Sequence, residues 1–353
     1  MTYSVVIPTV GRASLADCLR ALAESAGPAP AEVVVVDDRP LTDCGPLGVG
    51  LDRVDRVVYS CGNGPAAARN AGWRATTTPW VVFLDDDVVP SRTWAADLAR
   101  DLDEADPATA AVQGRITVPL PAGRRPTDFE RNTAGLETSR WITADIAYRR
   151  SALAAVSGFD ERFPRAFRED ADLALRVADA GWGLTVGRRV TVHPVRTAGP
   201  LVSVSAQAGN ADDVLMRRLH GADWAERAEA PRGRITRHAV IAAAGAAAVG
   251  LAVSGRRRAA LAAAGAWAVG TAEFAAARIA PGPRSRSEVL TMLATSAVIP
   301  FAAVGHRLRG EWRHRRATPW PPPAAAGAAA PGGSVDTSAA PSRSDVPHSA
   351  VAR

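Results

Sequence analysis

The chain has 353 residues, enough for two domains or for one large domain with an appendage. Its formal net charge is +6, and because it contains no Lys, all 42 of its Lys and Arg residues are Arg. Ala, Gly, Pro and Arg are all heavily used, so the charge alone is weak evidence for nucleic-acid binding. The three cysteines, Cys18, Cys44 and Cys61, have neither paired nor metal-type spacing, which argues against a disulfide framework.

The N-terminus carries no pattern of a secretory signal. Met1 is followed almost at once by the strand-like run Ser4–Ile7, without the basic segment that opens a signal peptide. We therefore expect the N-terminal part of the chain to lie in the cytoplasm.

Short apolar runs alternate with helical patterns over roughly the first two hundred residues. The predicted strands are Ser4–Ile7, Glu32–Val36, Val57–Tyr59, Trp80–Leu84 and Ala111–Val118. The predicted helices are Leu15–Ser25, Gly64–Ala75, Ser91–Ala105 and Ala171–Ala180. This alternation predicts an α/β domain with a mostly parallel sheet flanked by helices, in which ligands bind beyond the carboxyl ends of the strands.

The first two predicted strands end in polar groups. Thr9 follows the first strand, and Asp37 and Asp38 follow the second. A carboxylate in that place can accept a hydrogen bond from a nucleobase or from a ribose hydroxyl. The alternative is an ordinary turn that begins at Asp38.

A Gly-rich turn opens the helix that follows. Residues 62–72 read Gly-Asn-Gly-Pro-Ala-Ala-Ala-Arg-Asn-Ala-Gly, and such small residues let a helix approach a sheet or a ligand closely. Arg69 lies in the first turns, where it can meet a phosphate or pair with strand-end aspartates. The pattern is not GxGxxG, so it gives no support for a dinucleotide-binding fold.

The most informative stretch is Trp80–Asp87, a short apolar run that ends in three consecutive carboxylates. Such groups repel one another and resist desolvation unless a cation meets them. Oxygen ligands at Asp85 and Asp87 suit Mg²⁺ or Mn²⁺, which bind one or two carboxylates together with substrate phosphates. In an extended chain Asp86 points the other way, so we expect it to matter less. The alternative is a solvated turn that caps a strand.

Two further segments carry groups that can act in catalysis. Glu169, Asp170 and Asp172 precede a predicted helix, where they are either N-terminal caps or, as a cluster in which the pKa of one member is raised, a general base. His193 ends another strand-like run, and a neutral imidazole there can complete a metal shell.

The composition changes near Pro231, where three Ala-rich apolar stretches begin, at about 238–254, 259–279 and 289–305. A spanning helix needs roughly 20 apolar residues, so these lengths and their Arg flanks favour membrane association, with a soluble helical subdomain as the alternative. If the first stretch spans, the three Arg residues at 256–258 lie outside, against the positive-inside tendency, and a re-entrant or interfacial hairpin avoids that conflict.

Taken in chain order, these segments resemble the family 2 glycosyltransferases of GT-A fold. The matching segments are Ser4–Thr9, Val33–Asp38, Gly64–Gly72, Phe83–Asp87, Thr143–Arg150, Gly158–Glu161 and Glu169–Arg176. We expect a GT-A catalytic domain over residues 1–230, a hydrophobic, membrane-associated helical region over 231–317, and a disordered tail rich in Pro, Ala and Ser over 318–353.

The resemblance implies inverting transfer of a sugar from a nucleotide-diphosphate sugar to a hydroxyl of a glycan or lipid-linked acceptor. It implies a divalent metal, Mg²⁺ or Mn²⁺, and a place on the cytoplasmic face of a bacterial membrane, in cell-surface polysaccharide or glycoconjugate synthesis. Asp170 is then the base, with Glu169 beside it. The resemblance assigns the nucleotide-sugar to Pro8, Thr9, Asp37, Asp38, Gly64, Arg69, Asp85 and Asp86, the metal to Asp85, Asp87 and His193, and the acceptor side to Asp145 and Asp172.

Three positions depart from the family's pattern. Val10-Gly11-Arg12 stands where an aromatic-Asn pair is common, which affects the fine contacts to the nucleotide. Asp145 replaces an Asn often found near the acceptor, and Ser157 replaces a Gly. None of these changes removes an expected metal or base residue.

Three other kinds of protein remain as alternatives. A sugar nucleotidyltransferase usually has a basic Gly-rich loop with a Lys near the N-terminus, of which Thr9–Arg12 is a poor version. A non-catalytic membrane-associated scaffold has no need for so many strand-end aspartates. A nucleic-acid-binding protein is disfavoured by the lack of aromatic interleaving and of a recognisable module.

Overall fold

The structure, a computed structural model, describes residues 1–43, 45–48, 50 and 53–320 of the chain. Cys44 and residues 321–353 of the predicted tail lie outside the described residues.

Eight strands form one sheet. They are β1 (Tyr3–Thr9), β2 (Glu32–Asp37), β3 (Arg56–Tyr59), β4 (Trp80–Leu84), β5 (Val89–Pro90), β6 (Thr109–Thr117), β7 (Asp145–Arg149) and β8 (Gly183–Val192). Their order across the sheet is β3-β2-β1-β4-β7-β6-β8-β5. The first four strands in that order run parallel, β7 is antiparallel to both neighbours, β6 and β8 are parallel, and β5 is antiparallel to β8.

Helices cover both faces of the sheet, because the central strands are apolar on both sides. The helices of this part are α1 (Ser14–Glu24), α2 (Pro65–Ala75), α3 (Trp94–Asp103), α4 (Asp128–Ala134), α5 (Arg150–Ala155), α6 (Glu169–Asp179), α7 (Val202–Ser205), α8 (Gly209–His220) and α9 (Trp224–Arg227). On one face Val35 joins a core with Leu15 of α1 and Leu98 of α3. On the other face Val34 joins a core with Trp73 of α2 and Leu173 of α6.

The predicted α/β class with a mostly parallel sheet is confirmed, and each predicted strand and helix overlaps an observed one. The sequence patterns did not reveal β7, the antiparallel strand beside β4, whose five residues Asp-Ile-Ala-Tyr-Arg begin and end in charge. Most of β8 and all of α4 and α5 were also missed. The boundary at residue 230 remains a prediction.

Three long apolar helices follow: α10 (Ile235–Val253), α11 (Arg257–Ile279) and α12 (Arg286–Arg313). By length and composition each is long and apolar enough to cross a membrane, and most of each remains uncovered by the rest of the protein.

Candidate active site

Parallel strands end side by side at one edge of the sheet. Thr9, the last residue of β1, is in register with Asp37 of β2, and β4 continues directly into Asp85–Asp87. Thr9 Oγ1 donates a hydrogen bond to Asp86 Oδ2 at 2.6 Å, although the two residues are 77 positions apart. This edge is where open α/β sheets bind their ligands.

The three consecutive aspartates have different surroundings. Asp86 is buried and accepts hydrogen bonds from Thr9 and, at 2.6 Å, from Arg12 Nη1. Asp85 keeps 27% of its side chain exposed, while Asp87 is buried. Burial raises the pKa of Asp87, and the charge of Asp85 raises it further. Asp85 and Asp87 thus carry a mutual repulsion that a cation relieves, whereas Asp86 anchors the loop after β1.

Arg69 of α2 joins the aspartates to α6. Its Nη2 lies 2.8 Å from Asp85 Oδ1, and its Nη1 lies 2.8 Å from Glu169 Oε1. Within the described part of the chain, the buried atoms Arg69 Nε and Glu169 Oε2 have no hydrogen-bond partner. A buried polar atom left unpaired costs about 1–3 kcal/mol, so such atoms mark places that a water or a ligand completes.

The start of α6 holds both candidate bases. Arg168 occupies the N-cap position with a left-handed backbone and no side-chain cap, so neither Asp170 nor Asp172 caps the helix. Burial raises the pKa of Glu169 to about 8, with Asp170 adding to the rise and Arg69 opposing it. Asp170 is only partly buried. Burial raises the pKa of Asp170 as well. The hydrogen bond from the Ala171 N–H and the charge of Arg69 lower this pKa but do not outweigh burial.

Asp37 and Asp38 are held by the loops around them. Arg39 grips Asp37 through its backbone N–H, Nε and Nη2 at 2.7–3.1 Å. Burial alone raises the pKa of Asp37, but the hydrogen bonds and charge of Arg39 outweigh it and hold the pKa below the ordinary value. Asp38 accepts bonds from Ser60 Oγ at 2.7 Å and from the Gly64 N–H at 3.0 Å. Both carboxylates therefore order the rim of the crevice.

Gly64 and Pro8, which are predicted to contact the nucleotide-sugar, lie at the same rim. Gly64 precedes α2 with φ of +92°, in the left-handed region that favours glycine, and a Cβ there would lie 3.2 Å from Pro164 O. Pro8 lies near the end of β1, beside Thr9, and is partly buried.

His193 and Arg196 reach the site from the segment after β8. His193 Nε2 lies 3.6 Å from Asp87 Oδ1, and Arg196 Nε lies 3.0 Å from Asp87 Oδ2. The sequence pattern indicated His193 but not Arg196. The one feature that could have pointed to Arg196 is its position three residues after His193.

Asp145 and Asp172, predicted on the acceptor side, are fully buried. Asp145 accepts hydrogen bonds from Trp94 Nε1, Arg189 Nε and Thr191 Oγ1 at 2.6–2.8 Å. Asp172 bonds to Arg176 and His220 at 2.7–2.9 Å, and the charge of Arg176 and these bonds outweigh burial and lower its pKa. Their place on the acceptor side stays a prediction, and in this structure neither side chain has exposed surface.

The donor set fits a divalent cation that arrives with its substrate. Among the described residues, no three or more His, Cys, Asp or Glu side chains converge to hold a metal ion by themselves. Asp85 and Asp87 supply hard oxygen atoms, and Mg²⁺ in proteins is usually bound by one or two carboxylates plus substrate phosphates. Glu169 Oε2, buried beside Arg69, has no hydrogen-bond partner among the residues that the structure describes.

A cavity of about 880 Å³ adjoins this crevice. It is lined by α4, by the segment 195–207, and by residues of α11 and α12 that include Phe274, Arg278, Met292 and Ile299. Arg196 lines the cavity and also contacts Asp87, so the cavity and the carboxylate cluster share this residue.

Residues 4–157 match the family model described as glycosyl transferase family 2. Over 199 residues the chain is 35% identical to the pre-mycofactocin glycosyltransferase of Mycobacterium tuberculosis, in strains CDC 1551 / Oshkosh and H37Rv. That match covers 50% of this chain and 39% of the relative, so the chain spans well under half the length of these relatives.

Among solved structures, a mannosyltransferase from Pyrobaculum calidifontis in complex with GDP-Man and Mn²⁺ is 18% identical with a TM-score of 0.48, over 88% of this chain and 87% of that one. Glucosyl-3-phosphoglycerate synthase from Mycobacterium tuberculosis is 19% identical with a TM-score of 0.43, over 66% of this chain and 81% of that one. At these values neither likeness bears on substrate or site.

The family match begins at the first strand and extends through β7 and α5, which covers the strand-end aspartates and Arg69. The observed sheet order and this match agree with the predicted GT-A-type fold. In its N-terminal part, residues 4–157, the chain is thus similar to glycosyltransferase family 2.

Proposed function

We propose that this protein is an inverting glycosyltransferase that moves a sugar from a nucleotide-diphosphate sugar to a hydroxyl of a glycan or lipid-linked acceptor. The observation that carries the proposal is the bridge made by Arg69. One buried guanidinium holds Asp85, after β4, and Glu169, at the start of α6, so the proposed donor-binding aspartate lies near the start of the helix that carries Asp170.

The donor diphosphate binds at Asp85 and Asp87, together with Mg²⁺ or Mn²⁺. The cation, when bound, neutralises the charge that builds on the departing diphosphate. Positive charge or hydrogen-bond donors at the same carboxylates come from Arg69, His193 and Arg196. The loops that contact the nucleotide are ordered by Thr9, Asp37, Asp38 and Gly64. Asp86 supports that arrangement through Thr9 and Arg12.

Asp170 is the base. Glu169 is fully buried and occupied by Arg69, whereas Asp170 retains solvent access. A raised pKa suits a base that works near neutral pH. Asp170 takes the proton of the acceptor hydroxyl as its oxygen attacks the anomeric carbon. The bond from that carbon to the diphosphate oxygen breaks on the opposite face, which inverts the configuration.

The acceptor approaches through the cavity beside Arg196. The cavity lining combines polar side chains, among them Arg131, Arg196 and Gln207, with the apolar side chains Phe274, Met292 and Ile299. Such a lining fits an acceptor with a polar head and an apolar part. This favours a lipid-linked acceptor and work at the cytoplasmic face of a membrane, in polysaccharide or glycoconjugate synthesis.

The test is a thermal-shift screen of sugar nucleotides with Mn²⁺, followed by an assay of nucleotide-diphosphate release with the best stabiliser. A glycosyltransferase is stabilised by one or a few sugar nucleotides and releases nucleoside diphosphate. Pyrophosphate formation from a sugar phosphate and a nucleoside triphosphate would point to a nucleotidyltransferase. Absence of stabilisation by any sugar nucleotide would favour a scaffold and overturn the proposal.

A further inference from the structure

Helix α12 contacts the catalytic part at both of its ends. Near its start, Glu288 Oε1 accepts a hydrogen bond from the Asp128 N–H of α4 at 2.8 Å. Near its end, Glu311 pairs with Arg218 of α8 at 2.8 Å. These two contacts are about 34 Å apart along the helix, at about 1.5 Å per residue.

Close packing at the second end shows that this contact is not a loose surface pair. A Cβ at Gly310 would lie 2.8 Å from Ala211 Cα and 3.1 Å from Val214 Cγ2 of α8, so the two helices approach at their backbones. Arg162 also donates to Thr318 O just beyond the helix, at 2.8 Å.

These contacts conflict with a transmembrane path for α12. The hydrocarbon core of a bilayer is about 30 Å thick, so a spanning α12 would separate its two ends by the thickness of the membrane. One of the two contacts would then lie inside the hydrocarbon or on the far side of the membrane. Helix α4, which contacts Glu288, or helix α8, which carries Arg218, would have to lie there as well. Irregular backbone and charged side chains are not exposed to lipid within the hydrocarbon region.

The two faces of α12 differ in what covers them. The face toward the rest of the protein is buried and includes Met292, Ser296, Ile299, Ala303 and Gly310. The opposite face carries exposed apolar side chains, chiefly Leu290, Leu293, Leu308 and Trp312. Leu290 and Leu308 are five helical turns apart and therefore lie on the same side.

Positive charge accompanies this exposed face. Arg309 and Arg313 on α12, and Arg315 and Arg316 just after it, are exposed beside Leu308 and Trp312. Trp is enriched at the membrane–water boundary, and Arg is attracted to anionic headgroups. An apolar face flanked by Arg is the pattern of a helix that lies in a membrane interface.

We propose that α12 lies in the plane of a lipid bilayer that contains anionic headgroups, with Leu290, Leu293, Leu308 and Trp312 immersed, and does not cross it. The catalytic part then rests against the membrane surface along the whole of α12. The cavity beside Arg196, which Met292 and Ile299 help to line, is held at the level of the headgroups.

Depth measurements decide between the two paths. Nitroxide labels are placed singly at Leu290→Cys, Phe301→Cys and Leu308→Cys, which lie on one side of α12, in full-length protein with the native cysteines replaced (Cys18→Ala, Cys44→Ser, Cys61→Ser). The protein is bound to vesicles of phosphatidylcholine with phosphatidylglycerol. An in-plane helix gives three equal, shallow depths, whereas a spanning helix shifts the depth by up to about 27 Å between residues 290 and 308. A steady change of depth, or three labels that remain in water, overturns the proposal.

Vesicle flotation gives a second readout with a matched control. Leu308→Asn with Trp312→Gln should lower the fraction bound to anionic vesicles several-fold, while Leu41→Asn, an equally exposed leucine far along the chain from α12, should leave it unchanged. Thermal melting verifies that each variant is folded. Equal binding of both variants with labels still in water would place membrane attachment elsewhere in the chain.

Discussion

Arg69 donates a hydrogen bond to Glu169 in a place from which solvent is excluded, with Nη1 2.8 Å from Oε1 and only 2% and 1% of the side chains exposed. The same guanidinium reaches Asp85, which is partly exposed in the crevice. The guanidinium therefore connects the aspartates that we propose to bind the donor with the start of α6, where the candidate bases lie.

Removing Arg69 should destabilise the protein strongly. Arg69→Met leaves Asp85 without its cation and the buried carboxyl of Glu169 without its hydrogen-bond donor, and breaking a buried pair in this way costs about 3–5 kcal/mol in the free energy of unfolding. Urea unfolding measures the change. Arg74→Met, on the same helix but half exposed and 3.7 Å from Glu161, should cost no more than about 0.5 kcal/mol. Equal effects of the two substitutions would contradict the buried bridge.

The raised pKa of Glu169 predicts a pH-dependent stability. Between the ordinary pKa of about 4.5 and the raised value of about 8, the unfolded chain loses this proton while the folded protein keeps it. The contribution of Glu169 is therefore fully present below pH 4.5 and is lost as the pH rises toward 8, by at most about 1.4 kcal/mol per pH unit.

The measurement compares the Tm of wild type and Glu169→Gln from pH 5 to pH 8. The variant should gain stability relative to wild type as the pH rises, because Gln does not ionise. Glu24→Gln, at the exposed end of α1, serves as the control and should follow wild type throughout. A constant difference between wild type and Glu169→Gln would mean that the pKa of Glu169 is not raised.

Asp170→Asn should abolish transfer and preserve donor binding, since Asn occupies the same volume but takes no proton. In the active enzyme the base must be deprotonated, so the rate should rise with pH through the raised pKa of Asp170, at a higher pH than an ordinary Asp would give. Turnover close to wild type in Asp170→Asn, with intact nucleotide-sugar binding by calorimetry, would remove Asp170 as the base.

Neighbouring aspartates should respond differently to the same substitution. Asp87→Asn should weaken nucleotide-sugar affinity in Mn²⁺ and bring it to the value measured with chelator, since one proposed cation ligand is lost. Asp86→Asn should chiefly lower the free energy of unfolding, by about 1–3 kcal/mol, because it weakens the buried acceptor of Thr9 and Arg12. Calorimetry with and without Mn²⁺, beside urea unfolding, separates the two. An undiminished Mn²⁺ effect in Asp87→Asn would contradict its metal role.

The sequence was informative where one local pattern determines the structure. Val33–Val36 is a continuous apolar run that ends in carboxylates, so both the strand and the position of Asp37 were predictable. The pairing of Arg69 with strand-end aspartates was one of two options, and the structure selects it through Asp85.

The sequence does not reveal a side chain's environment where distant partners determine it. Asp145 looked like a contact at the ligand edge, yet Trp94, Arg189 and Thr191, which are 44–51 residues away, enclose it completely. Likewise, α12 has the composition of a spanning helix, and only its contacts with α4 and α8 show that its two ends lie against the same body. No local pattern carries that information.

Filling the cavity should impair the acceptor and spare the donor. Ala206 lines the cavity and is exposed, so Ala206→Trp occupies its space without disturbing the buried core. We expect at least a tenfold loss in kcat/KM for the acceptor, with donor affinity unchanged, because the donor-binding carboxylates do not contact Ala206. Ala154→Trp, on the exposed side of α5 and outside the cavity lining, is the matched control and should keep both values. If Ala206→Trp transfers sugar as well as the control does, the acceptor reaches Asp170 by another route. A bulky indole in the proposed path must obstruct any acceptor that is large enough to contact both the carboxylates and α11.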